Sequence, residues 1–568
     1  MQFVWNLFFM FGGVAVMMLG MKIMGSGLEK FAGGSMKKML GKVTTNRFAG
    51  VGVGIAVTSI IQSSTATSVM LVGFVNVGLM TLVQATNVIM GANIGTTVTA
   101  HIVSLSGVGG GVDIGAIAAL IGLVGVLMSM LIKNDKGITI GNILAGLGLI
   151  FIGLEFISIF AKEVLMPDGQ PVPLVTKFFQ GDIFPLLLVL IGIVITALVH
   201  SSSTITSLMV VLASMGILSF ENALFLALGS NIGTCLTSVM SSAGTSVNAK
   251  RTAIVHLLFN CFGCIIFIAP IWIWADDITS LFAKISSDVG QQIAIFHTAF
   301  NVVTTIILFP MANLVVKLAC LIVKDKPSKE EEKVRLTFID DRLLQTPQIA
   351  VANTKKEIIK MAALAKENIN LSTEMLLDKK ADNEELIREN ETAINFLNRG
   401  ITGYLTKLMG TDLSVQDDKA VGTYYHVVSD IERVGDYAEN VMEYALRLRA
   451  ENANFSDHAK EELSSVVEKI NTLFDYSVSA FENVSYEYYD TIMDIEEEID
   501  DISVKLEDKH IDRVKRNACT AELGSIYLQT VANLERVGDH ITNIAKSIKS
   551  YSTRKTVANS QVVSKIIN

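Results

Sequence analysis

The chain has 568 residues, half of them hydrophobic, and a formal net charge of −9. The charge is uneven: residues up to Val323 carry 14 Lys and Arg against 11 Asp and Glu, whereas the remaining residues are strongly acidic. This split excludes a single soluble domain and predicts a membrane domain, 1–323, followed by a soluble one. The five cysteines show no disulfide framework, and the chain contains no phosphate-binding loop, nucleophile motif or basic stripe, which argues against an enzyme and against nucleic-acid binding.

Apolar runs fill the first part of the chain, and two of them are too long for one membrane crossing. The runs lie near 3–25, 48–83, 85–107, 114–132, 138–161, 184–218, 221–241, 252–275 and 292–322. A helix needs about 20 residues to span the hydrocarbon core, so 48–83 and 184–218 predict broken or re-entrant helices. Because freed backbone groups cannot face lipid, we expect each break to face protein or a water-filled cavity.

The two long runs belong to an internal repeat. An offset of 138 residues aligns 51–100 with 189–238 without a gap, and 15 of the 50 pairs are identical. Most of the identical pairs are small or polar, and they include Gly54/Gly192, Thr58/Thr196, Ser63/Ser201, Ser64/Ser202, Gly78/Gly216, Gly91/Gly229, Asn93/Asn231, Gly95/Gly233, Thr96/Thr234 and Thr99/Thr237. A repeat that served only apolar packing would not show this selection.

Basic residues predict that the two copies enter the membrane in opposite directions. Lysines and arginines, which mark inside loops, cluster at 30–47, 133–136 and 250–251. The first copy then runs outward and the second inward. We predict an inverted-topology repeat with units of about 12–132 and 145–275, an arrangement that in transporters places substrate and ion sites near the membrane midplane.

The polar residues at the predicted breaks supply the chemistry. They are Gln62, Ser63, Ser64 and Thr65 in the first copy and His200, Ser201, Ser202, Ser203 and Thr204 in the second. Hydroxyl, amide and freed carbonyl oxygens can bind a small hard cation such as sodium, and hydroxyls beside a helix N-terminus suit an oxyanion. The alternative is that these residues only mediate helix packing. Duplication at identical spacing favours binding.

A second polar run follows in each copy. Asn93 and Thr96 lie in Asn-Ile-Gly-Thr-Thr, and Asn231 and Thr234 lie in Asn-Ile-Gly-Thr-Cys. We interpret these runs as a second break in each copy, with further oxygen ligands for substrate or sodium.

Other charged and histidine residues are sparse in the apolar runs. Lys22 and Glu155 could pair across the pseudo-symmetry axis, or each could extend to a membrane surface. The segments His256-Leu-Leu-Phe-Asn260 and His297-Thr-Ala-Phe-Asn301 repeat a pattern that puts both polar groups on one helix face. We expect hydrogen bonds within the helix bundle there, with ligand contact as the alternative.

The remaining residues predict a linker, 324–345, and a helical domain, 346–568. Helical periodicity predicts helices near 347–378, 382–409, 417–449, 456–486, 488–515 and 519–552. We interpret them as two three-helix bundles in tandem.

The pentapeptide Glu-Arg-Val-Gly-Asp occurs once in each predicted bundle. Glu432 and Asp436, like Glu535 and Asp539, are four residues apart, so each pair puts two carboxylates on one helix face. Facing pairs could form an oxygen-rich metal site. Neutralisation by the neighbouring arginines is the alternative, and duplication of the whole pentapeptide favours metal.

The stretches at Gln62 and His200, together with Gly-Ala-Asn93-Ile-Gly-Thr, resemble the signature repeats of the type II sodium/phosphate cotransporters. The C-terminal half, with its two Glu-Arg-Val-Gly-Asp segments, resembles PhoU, a helical regulator of phosphate uptake. The resemblance implies an all-α chain: a polytopic domain in the plasma (inner) membrane, followed by a cytoplasmic PhoU-like pair of three-helix bundles. It implies sodium-coupled symport of inorganic phosphate by alternating access, and a divalent or iron-type metal on the PhoU-like carboxylates. The binding residues carried over by the resemblance are Gln62, Ser63, Ser64, Thr65, Ser201, Ser202, Ser203 and Thr204.

Two positions depart from the family pattern. His200 replaces the usual glutamine, and a histidine could make the site pH-dependent or alter its cation preference. Glu391-Thr-Ala-Ile-Asn395 stands where the second bundle has Glu496-Glu-Glu-Ile-Asp500, so the first bundle has fewer carboxylates for a metal.

Two alternative functions remain open at this point: a phosphate exporter of the same fold, and a membrane-anchored PhoU-type regulator with little transport of its own. The expected partners are inorganic phosphate, sodium, membrane lipid and a cytoplasmic regulatory protein or a second copy of the chain, with no nucleic acid.

Overall fold

The protein is all-α in this computed structural model, as the sequence predicts, and its described residues contain no strand. The structure describes all residues except 42–45, 106–113, 168–171, 174–178, 182, 326–334, 517 and 565–568. Lys42 of the first basic cluster, the middle of the predicted linker and the last four residues of the predicted helical domain therefore lie outside the described residues. The chain forms two compact units, Met1–Pro327 and Ser328–Asn568.

The first unit combines long helices with short apolar ones. They are α1 (Gln2–Gly41), α2 (Arg47–Ile61), α3 (Ser64–Asn76), α4 (Leu82–Gly95), α5 (Thr97–Ser104), α6 (Ile114–Leu131), α7 (Asp135–Leu165), α8 (Pro185–Val199), α9 (Ser202–Ser214), α10 (Phe220–Ser241), α11 (Val247–Ile273), α12 (Ala275–Ile285), α13 (Val289–Leu308) and α14 (Ala312–Ile322). Five of these described helices are long and apolar enough to cross a membrane: α7, α10, α11, α13 and the first 31 residues of α1. This unit is a membrane domain.

Both long apolar runs are broken helices, as predicted. The first run divides into α2 and α3 at Gln62-Ser63, and the second divides into α8 and α9 at His200-Ser201. Each of α3 and α9 has 13 residues, which is too short to span the hydrocarbon core alone. Just beyond them, Gly78 and Gly216 have φ angles of +71° and +73°, a conformation that glycine adopts at low cost.

Glycines let the helices of each copy pack backbone against backbone. A Cβ atom on Gly54 would lie 2.1 Å from a carbonyl oxygen of α4, and one on Gly192 would lie 2.4 Å from the equivalent oxygen of α10. The values for Gly91 and Gly229, on the partner helices, are 1.9 and 2.0 Å. These separations are too small for any side chain, so the identical glycines of the repeat mark the same close helix contacts in both copies.

The second unit consists of two three-helix bundles. The first contains α15 (Pro347–Leu377), α16 (Glu384–Met409) and α17 (Val415–Ala450), and the second contains α18 (Asp457–Asn483), α19 (Tyr489–Lys515) and α20 (Ala521–Ser564). The predicted helix limits agree to within three residues except at the last end, where α20 continues to Ser564. Apolar side chains on the inward helix faces form the cores, and α17 packs along α20.

Residues 335–345, which the sequence assigns to the linker, are folded onto the first bundle. The fully buried Glu357 of α15 accepts backbone N–H groups from Thr337, at 2.8 Å, and from Phe338. Leu343 lies in a short 3₁₀ helix and is fully buried. These contacts join residues about 20 positions apart, so the local polar composition of the segment could not reveal them.

The glycine contacts lead to a test with a matched control in one helix. Gly54→Ala should force α2 and α4 apart and lower the stability by about 3 kcal/mol or more. Gly52→Ala should be neutral or slightly stabilising, since no atom lies within 4 Å of its Cβ position and alanine favours helix. Thermal unfolding of the purified protein in detergent measures both, and equal midpoints for the two variants would show that the close contact is absent.

Candidate functional site

The two helix breaks have the same backbone geometry. Gln62 ends α2 with φ and ψ of 59° and 22°, and His200 ends α8 with 57° and 22°. Both residues are in the left-handed region, which is costly for any residue other than glycine. Such strain is typical of functional positions.

A serine caps the helix that follows each break. Ser63 and Ser201 are extended, and their Oγ atoms accept the backbone N–H groups of Ala66 and Thr204 at 3.1 and 3.2 Å. Serine is a preferred N-cap because its oxygen replaces a missing helical acceptor. The remaining N–H groups of each first turn, with the positive end of the helix dipole, lie at the break.

His200 takes the structural position of the glutamine. Gln62 Oε1 accepts the Thr99 hydroxyl at 2.7 Å, and His200 Nδ1 forms a 3.0 Å hydrogen bond with the Thr237 hydroxyl. Thr99 and Thr237 are themselves an identical pair of the repeat. The substitution that sets the second copy apart therefore keeps the same side-chain contact.

The two breaks meet at one cavity of about 300 Å³, here called the interhelical cavity. From the predicted site it is lined by Gln62, Ser63, His200, Ser201, Ser203 and Thr204. The predicted residues Ser64, Thr65 and Ser202 do not line it, and Ser64 and Ser202 are buried in the first turns of α3 and α9.

The first helix completes the interhelical cavity. Lys22, Ser26 and Glu29 of α1 line it, and α1 approaches the first break closely, since a Cβ atom on Gly25 would lie 2.9 Å from the Ile61 carbonyl oxygen. The sequence flagged Lys22 as an unusual charge but did not connect it with the serine stretches. The position of Lys22 in the sequence does not predict this contact with the serine stretches, because the contact depends on how α1 packs.

Lys22 and Glu155 do not form the pair that one interpretation proposed. In the packing of α1 on α7, Gly20 faces Gly146 while Gly13 faces Gly153. Glu155 therefore lies near the level of Gly13, away from Lys22, and is exposed.

The predicted second breaks are wrong for the second copy and minimal in the first. Helix α10 runs without interruption through Asn231 and Thr234, and only Thr96, itself in helical conformation, separates α4 from α5. The threonine hydroxyls of Thr96 and Thr234 donate to carbonyl oxygens four residues back. The glycine between the asparagine and the threonine of the first run allows close helix packing, since a Cβ atom on Gly95 would lie 2.6 Å from a carbonyl oxygen of α2.

The asparagines of these runs hold neighbouring helices together. Asn93 Oδ1 accepts from Asn260 of α11 at 3.3 Å, and Asn231 Oδ1 is hydrogen-bonded to His297 of α13 at 3.1 Å. All four residues are buried. His256 pairs weakly with the Ser238 hydroxyl at 3.4 Å. The predicted bundle hydrogen bonds of the two His-x-x-x-Asn segments are thus confirmed.

The soluble unit separates the predicted metal carboxylates into two groups. Glu535 and Asp539 of α20 meet Asp500 of α19, with ligand oxygens within 4.8 Å of one another. In the first bundle, Glu391 lies over the pentapeptide, since a Cβ atom on Gly435 would lie 2.8 Å from its Oε2 atom. Within the described part of the chain, only the group in the second bundle brings three potential metal ligands this close.

Burial, followed by neighbouring like charges, raises pKa values in both groups. Burial, and then Glu496 and Asp539, raise the pKa of Asp500 above its usual range. Burial also raises the pKa of Glu535, helped by Asp539. In the first bundle, burial and the neighbouring carboxylates, Asp436 first among them, raise the pKa of Glu391 to about 7. A bound cation would relieve this repulsion.

The chain thus combines a membrane domain that has two serine-capped helix breaks with a pair of acidic three-helix bundles, and family comparison identifies both parts. The Na+/Pi-cotransporter family model matches residues 16–159 and 182–318, and the PhoU domain model matches 358–445 and 463–548. The chain belongs to the Na+/Pi-cotransporter family.

Two relatives match very different shares of this chain. The "Putative inorganic phosphate export protein YjbB" of Salmonella typhimurium is 23% identical over 96% of this chain and 97% of its own length. The sodium-dependent phosphate transport protein 2B of Pongo abelii is 31% identical over 23% of this chain and 20% of its own length. The crystal structure of the phosphate transport system regulatory protein PhoU from Streptococcus pneumoniae aligns with 36% of this chain and 97% of its own, at 23% identity and a TM-score of 0.34.

Proposed function

We propose that this protein carries inorganic phosphate across the membrane together with sodium, and that phosphate binds in the interhelical cavity. The observation that carries the proposal is the meeting of both helix breaks at one cavity. Each break presents a capped helix N-terminus, and two such positive ends facing one space favour a multiply charged anion.

The side chains of the cavity match the chemistry of phosphate. Ser63 accepts a backbone N–H group through an oxygen lone pair, which leaves its hydroxyl hydrogen available to donate. Ser201 also accepts a backbone N–H group, and its hydroxyl shares a 2.8 Å hydrogen bond with the Thr204 hydroxyl, so one of these two hydroxyl hydrogens is available. Ser203 adds a further hydroxyl, and Lys22 adds a positive charge that the carboxylate of Glu29, also in the cavity lining, opposes. A desolvated phosphate needs several hydrogen-bond donors around it, since an unpaired charge within a membrane domain is costly.

The second part of the proposal is that sodium is co-transported with phosphate. Neutral oxygens surround the breaks, including the Gln62–Thr99 and His200–Thr237 pairs, and neutral oxygens suit a monovalent cation. A relative named as a sodium-dependent phosphate transport protein matches part of the membrane domain. In the alternating-access scheme, the two copies of the repeat, running in opposite directions, would exchange inward and outward forms around the cavity.

Export is the second candidate. It is favoured by the name of the YjbB relative, which covers nearly the whole chain and is described as exporting inorganic phosphate. Because the cavity geometry is compatible with either direction, the sodium dependence of the flux must discriminate between them.

Radiolabelled phosphate flux in proteoliposomes tests the transport proposal. An inward sodium gradient should drive phosphate uptake in the wild type, and Ser63→Ala/Ser201→Ala should lower the initial rate at least about tenfold because it removes two donors to an anion. Ser104→Ala is the matched control: this buried serine donates to its own helix at His101 and does not line the cavity. A phosphate flux that does not depend on sodium would favour export. The absence of any phosphate flux would contradict both candidates.

The PhoU-like unit is proposed to lie in the cytoplasm and to regulate transport through a bound metal. Asp500, Glu535 and Asp539 supply the carboxylate oxygens that a divalent or iron-type ion prefers. The first bundle has Asn395 in the position of Asp500, and Asn395 donates to Glu391 at 2.8 Å. The amide in that position bonds Oε1 of the glutamate and takes the place of a carboxylate, whereas Oε2 has no hydrogen-bond partner among the described residues.

Metal analysis of the full-length protein tests this site. Asp500→Asn should reduce the bound manganese or iron, measured by elemental analysis after dialysis, to less than about a tenth of the wild-type content. Asp436→Asn, which removes the first-bundle counterpart of Asp539, should leave most of it. Equal losses in both variants would show that the first bundle is an equal metal site.

A further inference from the structure

The soluble unit contains a cavity of about 800 Å³, here called the interbundle cavity, that none of the predicted metal ligands lines. It lies where α17 of the first bundle packs along α20 of the second. The two helices run antiparallel, since Asp430 bonds to His540 at 2.9 Å whereas Tyr444, further along α17, accepts a hydrogen bond from Asn533 at 3.2 Å. Interfaces between packed domains are common positions for ligand sites. The cavity is therefore a candidate binding site that belongs to both bundles.

Three basic side chains line the interbundle cavity: Lys419 and His426 from α17, and Lys546 from α20. Lys546 pairs with Glu496 at 3.2 Å, but 42% of its side chain is exposed, and exposed ion pairs are weak. The side chains of Lys419 and His426 form no ion pair or hydrogen bond with any described residue. Two of the three basic groups are thus available to a ligand.

Two carboxylates also line the interbundle cavity, and both are stabilised locally. Asp430 bonds to His540 and, at 3.4 Å, to the side-chain amide of Asn543. Asp418 lies in the first turn of α17, where the helix dipole stabilises a negative charge. These acids offset part of the positive charge of the cavity, but they leave its two unpaired basic groups uncommitted.

The internal repeat of the soluble unit provides a comparison between the two ends of this helix pair. An offset of 103 residues aligns α17 with α20 and superposes the two Glu-Arg-Val-Gly-Asp segments. Because the helices are antiparallel, the same offset relates the cavity to the opposite end of the pair. Each basic residue of the cavity corresponds there to an acidic or neutral one: Lys419 to Glu522, His426 to Gln529 and Lys546 to Glu443. The positive charge is therefore particular to the end that has the cavity.

Small residues open the space beside the basic groups. Ser547 of the cavity lining corresponds to Tyr444, which at the opposite end bonds to Asn533 across the helix pair. No atom lies within 4 Å of a Cβ position on Gly422, which also lines the cavity. A phosphate ion has five heavy atoms and roughly the volume of two to three water molecules, about 60 to 90 Å³. A single phosphate would thus fill only a small part of the cavity.

We propose that the interbundle cavity binds a linear polyphosphate anion, a chemistry that inorganic tripolyphosphate shares with the phosphate chain of a nucleoside triphosphate. Lys419 and His426 are seven residues apart on α17, so they lie on one helix face about 10 Å apart along the axis. A chain of phosphates spans that separation, and both side chains donate to phosphate oxygens. This binding goes beyond the transport and metal sites proposed above and requires neither of them.

Isothermal titration calorimetry of the full-length protein in detergent tests the site, with sodium tripolyphosphate and ATP as separate ligands. Lys419→Glu/His426→Gln introduces the residues of the opposite end. It should weaken binding about tenfold or more, because it removes two donors and adds a like charge. The matched control, Arg447→Glu, makes the same charge change at an exposed residue in the last turn of α17, away from the cavity lining, and should leave the affinity unchanged.

The two ligands distinguish the sources of the anion. Binding of both assigns recognition to the phosphate chain, binding of ATP alone adds the nucleoside, and binding of tripolyphosphate alone points to inorganic polyphosphate; each supports the site if the double variant weakens it. Binding of neither ligand overturns the proposal, and so does an affinity that the double variant leaves unchanged or that Arg447→Glu lowers equally. If binding is lost instead in Asp500→Asn, the anion binds through the metal and the cavity site is wrong. Lys546→Met, with the same expected weakening, takes the place of the double variant if that does not fold.

Discussion

The structure of the membrane domain depends on two helix breaks, each closed by a serine oxygen that accepts a backbone N–H group. Breaking a helix inside a membrane exposes polar backbone groups, and a left-handed Gln62 or His200 adds strain. The serine caps, the Gln62–Thr99 and His200–Thr237 bonds and the glycine contacts of α2 with α4 and α8 with α10 offset that cost. The same features leave two helix N-termini at one cavity, so what stabilises the breaks also makes them suitable for an anion.

Sequence reasoning located the breaks, the serines and the helices of the soluble unit, because each depends on local pattern: run length, duplicated polar residues and helical periodicity. It failed where packing decides. The Asn-Ile-Gly-Thr runs look like breaks, yet their glycines fit close helix contacts and α10 continues through the second run. Lys22 joins the cavity only through the way α1 packs, and residues 335–345 fold onto a bundle through contacts with α15.

In the soluble unit, the carboxylate groups of the two bundles differ at one equivalent position, which is Asn395 in the first bundle and Asp500 in the second. Asp500 completes a three-carboxylate group with Glu535 and Asp539, whereas Asn395 in the first bundle donates to Glu391. The comparison of the two segments predicted fewer carboxylates in the first bundle. It could not predict which carboxylates meet: the two pentapeptides do not complete a site with each other, and each instead pairs with the middle helix of its own bundle.

The central claim is that both copies of the repeat build a single phosphate site. Equilibrium binding of radiolabelled phosphate to the purified protein in detergent tests it most directly, because the stoichiometry counts the sites. One phosphate should bind per chain, with an affinity lowered about tenfold or more by Ser63→Ala alone and likewise by Ser201→Ala alone. Binding of two phosphates per chain would contradict a single shared site, and so would an affinity that either serine substitution leaves unchanged.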